Sequence, residues 1–375
     1  MVDDEGLQEL LHLDGQTRLR QCPWRLELPM ADEPQIEAWQ RTVERAGDVG
    51  VWAALRERFV QLRFPVREGM SAEPAYRRAT LRGETPDPDA DDVLSLSRPD
   101  DLELVLNPSL GGTVPVIIAP CRGDFETLVR ALSLRNEPRP VPPAQGACLV
   151  TGLNDWERVR HYKERWIAAR GSDGARGMWE HEFAEFKRHR ELYQDRFIIV
   201  GTGPYSGIDA AGSGFDETGW LNASHGIRLE HECTHYFSLR AFGSLRHDLL
   251  EELAADFVGL VRTLGEYRLD LALRFLGLEG YPRYRPGGRL EVYRGDPPLS
   301  EPTFELLQRT AWTGCQNLSR LASERASRLA DPAELAHVAA GLTALPLAAL
   351  VTHRLPVLVA EVIDHIGRPS FERKR

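Results

Sequence analysis

Two histidines four residues apart, followed seventeen positions later by a glutamate, constrain this 375-residue chain more than any other feature. The first segment reads His231-Glu232-Cys233-Thr234-His235, and the second Glu252-Leu253-Ala254-Ala255-Asp256. Residues four apart share one face of a helix, so both imidazoles can turn toward a single ion. Gly243 sits where a helix C-cap belongs, and Ser244 can serve as the next N-cap. The pattern therefore predicts one helix over Ser224 to Phe242 and another over Ser244 to Leu264, ended by Gly265. Leu249, Leu250, Leu253, Phe257, Leu260, Val261 and Leu264 recur at helical spacing on the second. Two helices joined by so short a turn pack antiparallel, and their facing side chains can share one ion.

Which acid completes the set is a question of angle. A tetrahedral catalytic zinc takes three protein ligands and leaves its fourth position to water. Asp248, Glu252 and Asp256 share a face, while Glu251 is turned about 100° away. With Glu252 as ligand, Asp256 lies one turn on, where it can accept the N–H of a ligating histidine. With Glu251 as ligand, the corresponding residue is Ala255. Glu252 is thus the predicted third ligand, and Asp248 the next alternative. Glu232, about 100° round the first helix, suits the base that takes a proton from an activated water. A bland alternative makes both histidines structural, with Glu252 and Asp256 pairing Arg228 or Arg240.

His231-Glu232-x-x-His235 followed by Glu252-x-x-Ala255-Asp256 resembles the gluzincin branch of the zincin metallopeptidases, and within it the Ste24/HtpX-like group. The likeness covers residues 224–264. It implies Zn²⁺ held by His231, His235 and Glu252, catalysis by Glu232, Asp256 behind a histidine, and a peptide or amide substrate. Those peptidases are usually integral membrane proteins, and here the longest apolar stretch, Leu345 to Ile366, is interrupted by prolines and charges. The metzincin pattern fails, because Ser238 and Ala241 replace its glycine and third histidine. The remainder of the chain resembles bacterial proteins that carry the same HExxH core.

A net charge of −10 argues against a nucleic-acid backbone as partner. The five cysteines are scattered with no Cys-x-x-Cys pair, so neither a disulfide framework nor a zinc ribbon is expected. The acidic start Met1-Val2-Asp3-Asp4-Glu5 lacks the basic residues of a signal peptide. A cytoplasmic protein without a membrane span is the expectation.

Three regions are expected along the chain: helical residues 1–100 with an acidic linker at 85–92, an α/β region at 101–222, and a helical metal-site and C-terminal region at 223–375. In the first, helices are expected over Pro34–Ala46, Val49–Leu62 and Glu73–Leu81. In the second, strands at Leu102–Leu106, Val114–Ala119, Ala147–Thr151 and Phe197–Val200 alternate with helices at 124–134, 155–169 and 178–194. Such alternation predicts an α/β (α+β) fold, with a partly parallel sheet of about four strands flanked by helices. Helices are also expected near 268–276, 303–330, 332–345 and 347–366.

Competing signals surround the motif. Phe197 to Gly207 looks like the strand and glycine turn of a dinucleotide site, and an enzyme using Gly201 to Gly207 in that way is one alternative. Ser206, however, stands where the third glycine belongs. Phe197–Val200 could instead be an edge strand that holds an extended peptide, with Tyr205 and Ser206 at the cleft rim. A four-residue apolar run more often lies inside. Cys233 should point into the core behind the helix. His225, His247, Tyr236, Arg240 and Arg246 are all candidates for stabilising an oxyanion. A metal-binding protein without peptidase activity, acting as a scaffold, is the other alternative.

Overall fold

Short Val- and Ile-rich runs at 114–118 and 198–200 mark where the sheet forms. The computed structural model describes residues 26–28, 30–85, 93–170, 172–246 and 248–367. Cys22, His247 and most of the acidic linker lie outside them. Strands β1 (Glu103–Ser109), β2 (Gly112–Ala119), β3 (Ala147–Asn154) and β4 (Gln194–Gly201) stand in the order β1-β2-β4-β3. β2 and β4 run parallel, with Val116 opposite Ile198 and Ala119 opposite Gly201. β3 runs antiparallel to β4 and bulges between Thr151 and Leu153. The fold is mixed α/β, as the alternation of elements implied.

β4 is therefore paired on both sides, and Phe197 to Val200 are fully buried. It offers no free edge to an extended peptide, which removes that role for this run. The next α-helix after Gly201 begins only at Glu217, so no helix N-terminus follows the glycine turn directly.

The chain groups into two compact units. One comprises Asp32–Pro108 and Thr113–Thr202; the other comprises everything from Gly203 onward, residues up to Ala31, and the turn Ser109–Gly112. This differs from three consecutive regions for a simple reason. Helices α1 (Ile36–Val49) and α2 (Val51–Arg58) bury their apolar faces on the sheet instead of forming a layer of their own. Trp39, Phe59 and Phe197 meet there with ring centroids 5.1–5.5 Å apart, and burying each ring contributes roughly 1.5–3 kcal/mol. Helices α3 (Pro74–Arg82), α4 (Arg122–Leu132), α5 (Trp156–Arg170) and α6 (Ser172–Phe186) complete this unit. α4 starts before Asp124, whose carboxylate instead accepts the Ser97 and Arg98 amides. Asp155 caps α5, taking the Glu157 and Arg158 amides.

The other unit is helical: α7 (Glu217–Phe242), α8 (Leu249–Leu264), α9 (Leu269–Leu276), α10 (Glu301–Glu324), α11 (Pro332–Ala344) and α12 (Leu355–Gly367). α7 begins about two turns earlier than expected, because Asp216 caps it through the Gly219 amide at 2.7 Å. α8 begins later than expected. Its N-cap is Asp248, which accepts the Glu251 amide at 2.9 Å, and not Ser244. Gly243 and Gly265 take the left-handed conformation predicted for them. α8 is apolar nearly all round and is sheathed by α7, α10 and α11. The single helix expected over 347–366 is a 3-10 turn, Leu347–Val351, followed by α12, with Pro356 in the first turn where proline is tolerated. No helix among the described residues is long and apolar enough to cross a membrane.

α7 and α8 cross very closely, and glycine allows it. A Cβ on Gly259 would sit 2.8 Å from the Ile227 carbonyl oxygen, and one on Gly226 would sit 2.6 Å from the Thr263 side chain. Any larger residue at 259 would force the backbones apart.

Candidate metal centre

The antiparallel crossing carries the motif residues to one point. His231 and His235, one turn apart on α7, direct their Nε2 atoms toward each other at 3.0 Å. Glu252, in the first turn of α8, places Oε2 3.3 Å from His231 Nε2 and Oε1 3.2 Å from His235 Nε2. One donor atom from each of the three lies within 4.8 Å of the others. Bonds of about 2.1 Å around a tetrahedral zinc would separate its ligands by about 3.4 Å. Two imidazole nitrogens 3.0 Å apart, each with one oxygen of the Glu252 carboxylate at 3.2–3.3 Å, are close to that spacing. Both imidazoles are buried, while Glu252 retains some exposure on its open side.

Asp256 stands one turn beyond Glu252. Its Oδ1 accepts from His231 Nδ1 at 2.9 Å, which leaves the Nε2 lone pair free for an ion. Tyr205 donates its hydroxyl to the same carboxylate oxygen at 2.7 Å and sits 2.9 Å from His231 Nδ1. Arg289 closes the network, with Nη1 donating to the Tyr205 hydroxyl at 2.8 Å and Nη2 paired to Asp256 Oδ2. All of these groups belong to one unit.

Local structure explains why Tyr205 and Arg289 arrive there. Arg228, on α7, donates to the carbonyls of Gly203 and Pro204 at 2.8 and 2.9 Å and fixes the turn that precedes Tyr205. The Tyr205 amide donates to Ser224 Oγ at 3.0 Å, and its ring meets Phe275 edge-on at 4.8 Å. Arg289 opens a 3-10 turn, Arg289–Arg294. The preceding Gly288 is pressed against the end of α9, where a Cβ would lie 2.4 Å from the Leu276 carbonyl oxygen.

Electrostatics follow from burial and these partners. Burial alone would disfavour a charged His231, but Glu252 and Asp256 outweigh it and push its pKa up to about 10 in the protein alone. His235 is raised against the same burial by Glu252. Burial would raise Glu252, yet the two imidazoles hold it well below the usual carboxylate range. Burial opposes ionisation of Asp256 too, and Arg289 with His231 more than offsets it. The Tyr205 phenol is pushed well up by burial, so it remains a donor.

Of the other residues singled out in the sequence, Glu232 is half-buried beside His235, on which its charge acts. Glu251 is buried, with Oε1 4.0 Å from His235 Nδ1 and Oε2 accepting the Arg246 amide. Asp248, the alternative ligand, is occupied as the cap of α8 and as partner to Arg246. Tyr236 is fully buried, Arg240 donates to the Ala31 and Gly111 carbonyls, and Cys233 points into the core. His225 is half-buried further up α7. Arg289 gave no signal in the sequence, because it lies in a proline- and glycine-rich loop without periodicity. Tyr205 was singled out only as a residue of the glycine turn and of a cleft rim, not as a partner of Asp256.

Two results test this network. Asp256→Asn or Tyr205→Phe should weaken zinc binding roughly 10–100-fold, as loss of a ligand's supporting hydrogen bond does, measured by competition with a chromophoric chelator. An unchanged affinity in both would remove their orienting role.

A family model described as "Family of unknown function (DUF7005)" matches residues 1–354. No curated protein and no solved structure matches the chain.

Proposed function

The chain belongs to the DUF7005 family, whose function is unknown, and from its own side chains we propose that it is a zinc-dependent hydrolase, a metallopeptidase that cleaves amide bonds with water. The observation that carries this reading is the convergence of His231 Nε2, His235 Nε2 and the Glu252 carboxylate, whose Oε2 and Oε1 lie 3.3 and 3.2 Å from the two nitrogens. Two nitrogens and one carboxylate oxygen are the donor set that zinc takes at catalytic sites, with a fourth position left open. When bound, zinc supplies an acidified water and polarises the scissile carbonyl. Glu232 accepts the proton released as that water attacks and returns it to the departing nitrogen. Asp256 keeps His231 in the tautomer that exposes Nε2, and Arg289 and Tyr205 keep Asp256 ionised and in place. Cys121 and Cys315 are free thiols, which suits a reducing compartment such as the cytoplasm.

The pH dependence of metal uptake follows by sign. His231 is raised from 6.5 to about 10 in the protein alone. The stabilisation from its protonated form is complete below about 6.5 and is lost as pH rises through about 10. Zinc needs the neutral imidazole, so uptake must displace that proton. Zinc affinity should therefore increase between pH 6.5 and 10, with net proton release on binding. Calorimetry in buffers of different ionisation enthalpy would read that release. An affinity independent of pH in this window would contradict the arrangement.

Elemental analysis of purified protein, paired with an assay on a broad panel of peptide amides, tests the function directly. Bound zinc with turnover supports the reading. Bound zinc without turnover by any substrate would leave a metal-binding scaffold, and absence of metal after reconstitution would end the proposal.

A further inference from the structure

The sheet-bearing unit holds a second concave site. A cleft of about 500 Å³ is walled by Tyr76, Arg77 and Thr80 of α3, Arg135 after α4, and Thr151 and Asn154 on β3. Neither Asp nor Glu lines it. Its volume is within the range of about 300–1,000 Å³ that accommodates small organic ligands, well above the needs of a bare inorganic ion.

Three side chains in this wall have unused bonding capacity. Tyr76 is 4% exposed and its ring packs edge-on against Phe64 at 5.2 Å, yet its hydroxyl bonds to no protein group among the described residues. Burial pushes this phenol up to about 12, so it is present as a donor. Arg77 and Arg135 are exposed, and neither forms an ion pair among the described residues. Other arginines nearby do: Arg67 with Glu73, Arg78 with Glu84 and Arg130 with Glu126. The closest acid in sequence, Glu137, has its carboxylate engaged by the Gly69 and Ser71 amides at 3.0 and 2.8 Å.

The backbone fixes these groups in position. Arg135 and Asn136 both take positive φ, 58° and 59°. Asn136 is locked by side-chain bonds to the carbonyls of Gln61 and Phe64 at 3.0 and 2.9 Å. Opposite, Gly152 sits in the β3 bulge with φ of 80°, and a Cβ there would meet only the Gln194 side chain, at 3.9 Å.

We propose that this cleft binds a small organic anion whose carboxylate or phosphate group is received by Arg77 and Arg135 and hydrogen-bonded by Tyr76. Guanidinium groups recognise both oxyanions through paired, charge-assisted bonds. On a chain of net charge −10, general attraction of anions cannot supply such binding.

Calorimetric titration of the full chain with citrate and with inorganic phosphate tests the proposal. At least one should bind saturably, and the tighter of the two identifies the headgroup. Arg77→Ala combined with Arg135→Asn, which tolerates the left-handed backbone, should reduce affinity at least about tenfold, and Tyr76→Phe roughly 2–10-fold. Arg77→Glu, on an exposed helical position, should abolish binding without disturbing the fold, and decides the matter if the double variant is unstable. Zinc content should be unchanged throughout, so the result is independent of the metal reading. Saturable binding of neither anion, or undiminished binding in Arg77→Glu, would overturn the proposal.

Discussion

Glu232→Gln is expected to retain one zinc per chain and lose hydrolysis by roughly 10²–10⁴-fold, the usual worth of a positioned general base. The amide is isosteric and sits half-buried beside His235, so neither packing nor the three ligand atoms should move. What disappears is a proton acceptor next to the reacting water. The comparison needs metal content and turnover measured on the same preparation. Full activity in the variant would remove Glu232 from the mechanism and transfer the base to another group, while lost metal would make Glu232 structural.

Replacing a ligand should act in the opposite order. His231→Ala, His235→Ala and Glu252→Ala each leave two of the three converging donors, and stoichiometric zinc should be lost with all turnover. Metal bound only to the folded form adds about 2.7 kcal/mol at a hundredfold excess over its dissociation constant. For a unit of this size that is roughly 5–10 °C in melting temperature. A chelator should therefore lower the melting temperature of the parent protein and leave Glu252→Ala unmoved. If Glu252→Ala kept its zinc while Asp248→Ala lost it, the assignment of the third ligand would be wrong.

The convergence of His231, His235 and Glu252 was legible because its geometry is local. His231 and His235 share a face by spacing alone, and Glu252 with Asp256 repeats that spacing on the next helix. Helix starts were harder to read. Ser244 and Asp248 are both good caps, and only tertiary structure decided for Asp248, which Arg246 also holds by an ion pair. Asp216 was hidden by the glycine-rich stretch around it. The sheet was readable from its apolar runs, but not the pairing of β4 on both sides, since neighbours in a sheet are set by crossover connections. Arg289 was invisible for a related reason. It reaches Asp256 from irregular backbone, placed by the contact of Gly288 with the end of α9, and no periodicity announces such a contact.

The glycine at 259 gives the metal centre a property its ligands lack. Because the two backbones touch there, main-chain contact sets how far apart the helices carrying the imidazoles and the carboxylate stand. A larger ion that demands more and longer bonds, such as calcium, finds no room to draw the helices apart. In the proposed centre, preference for a small ion would thus come from the packing of two helices and not from the ligands alone.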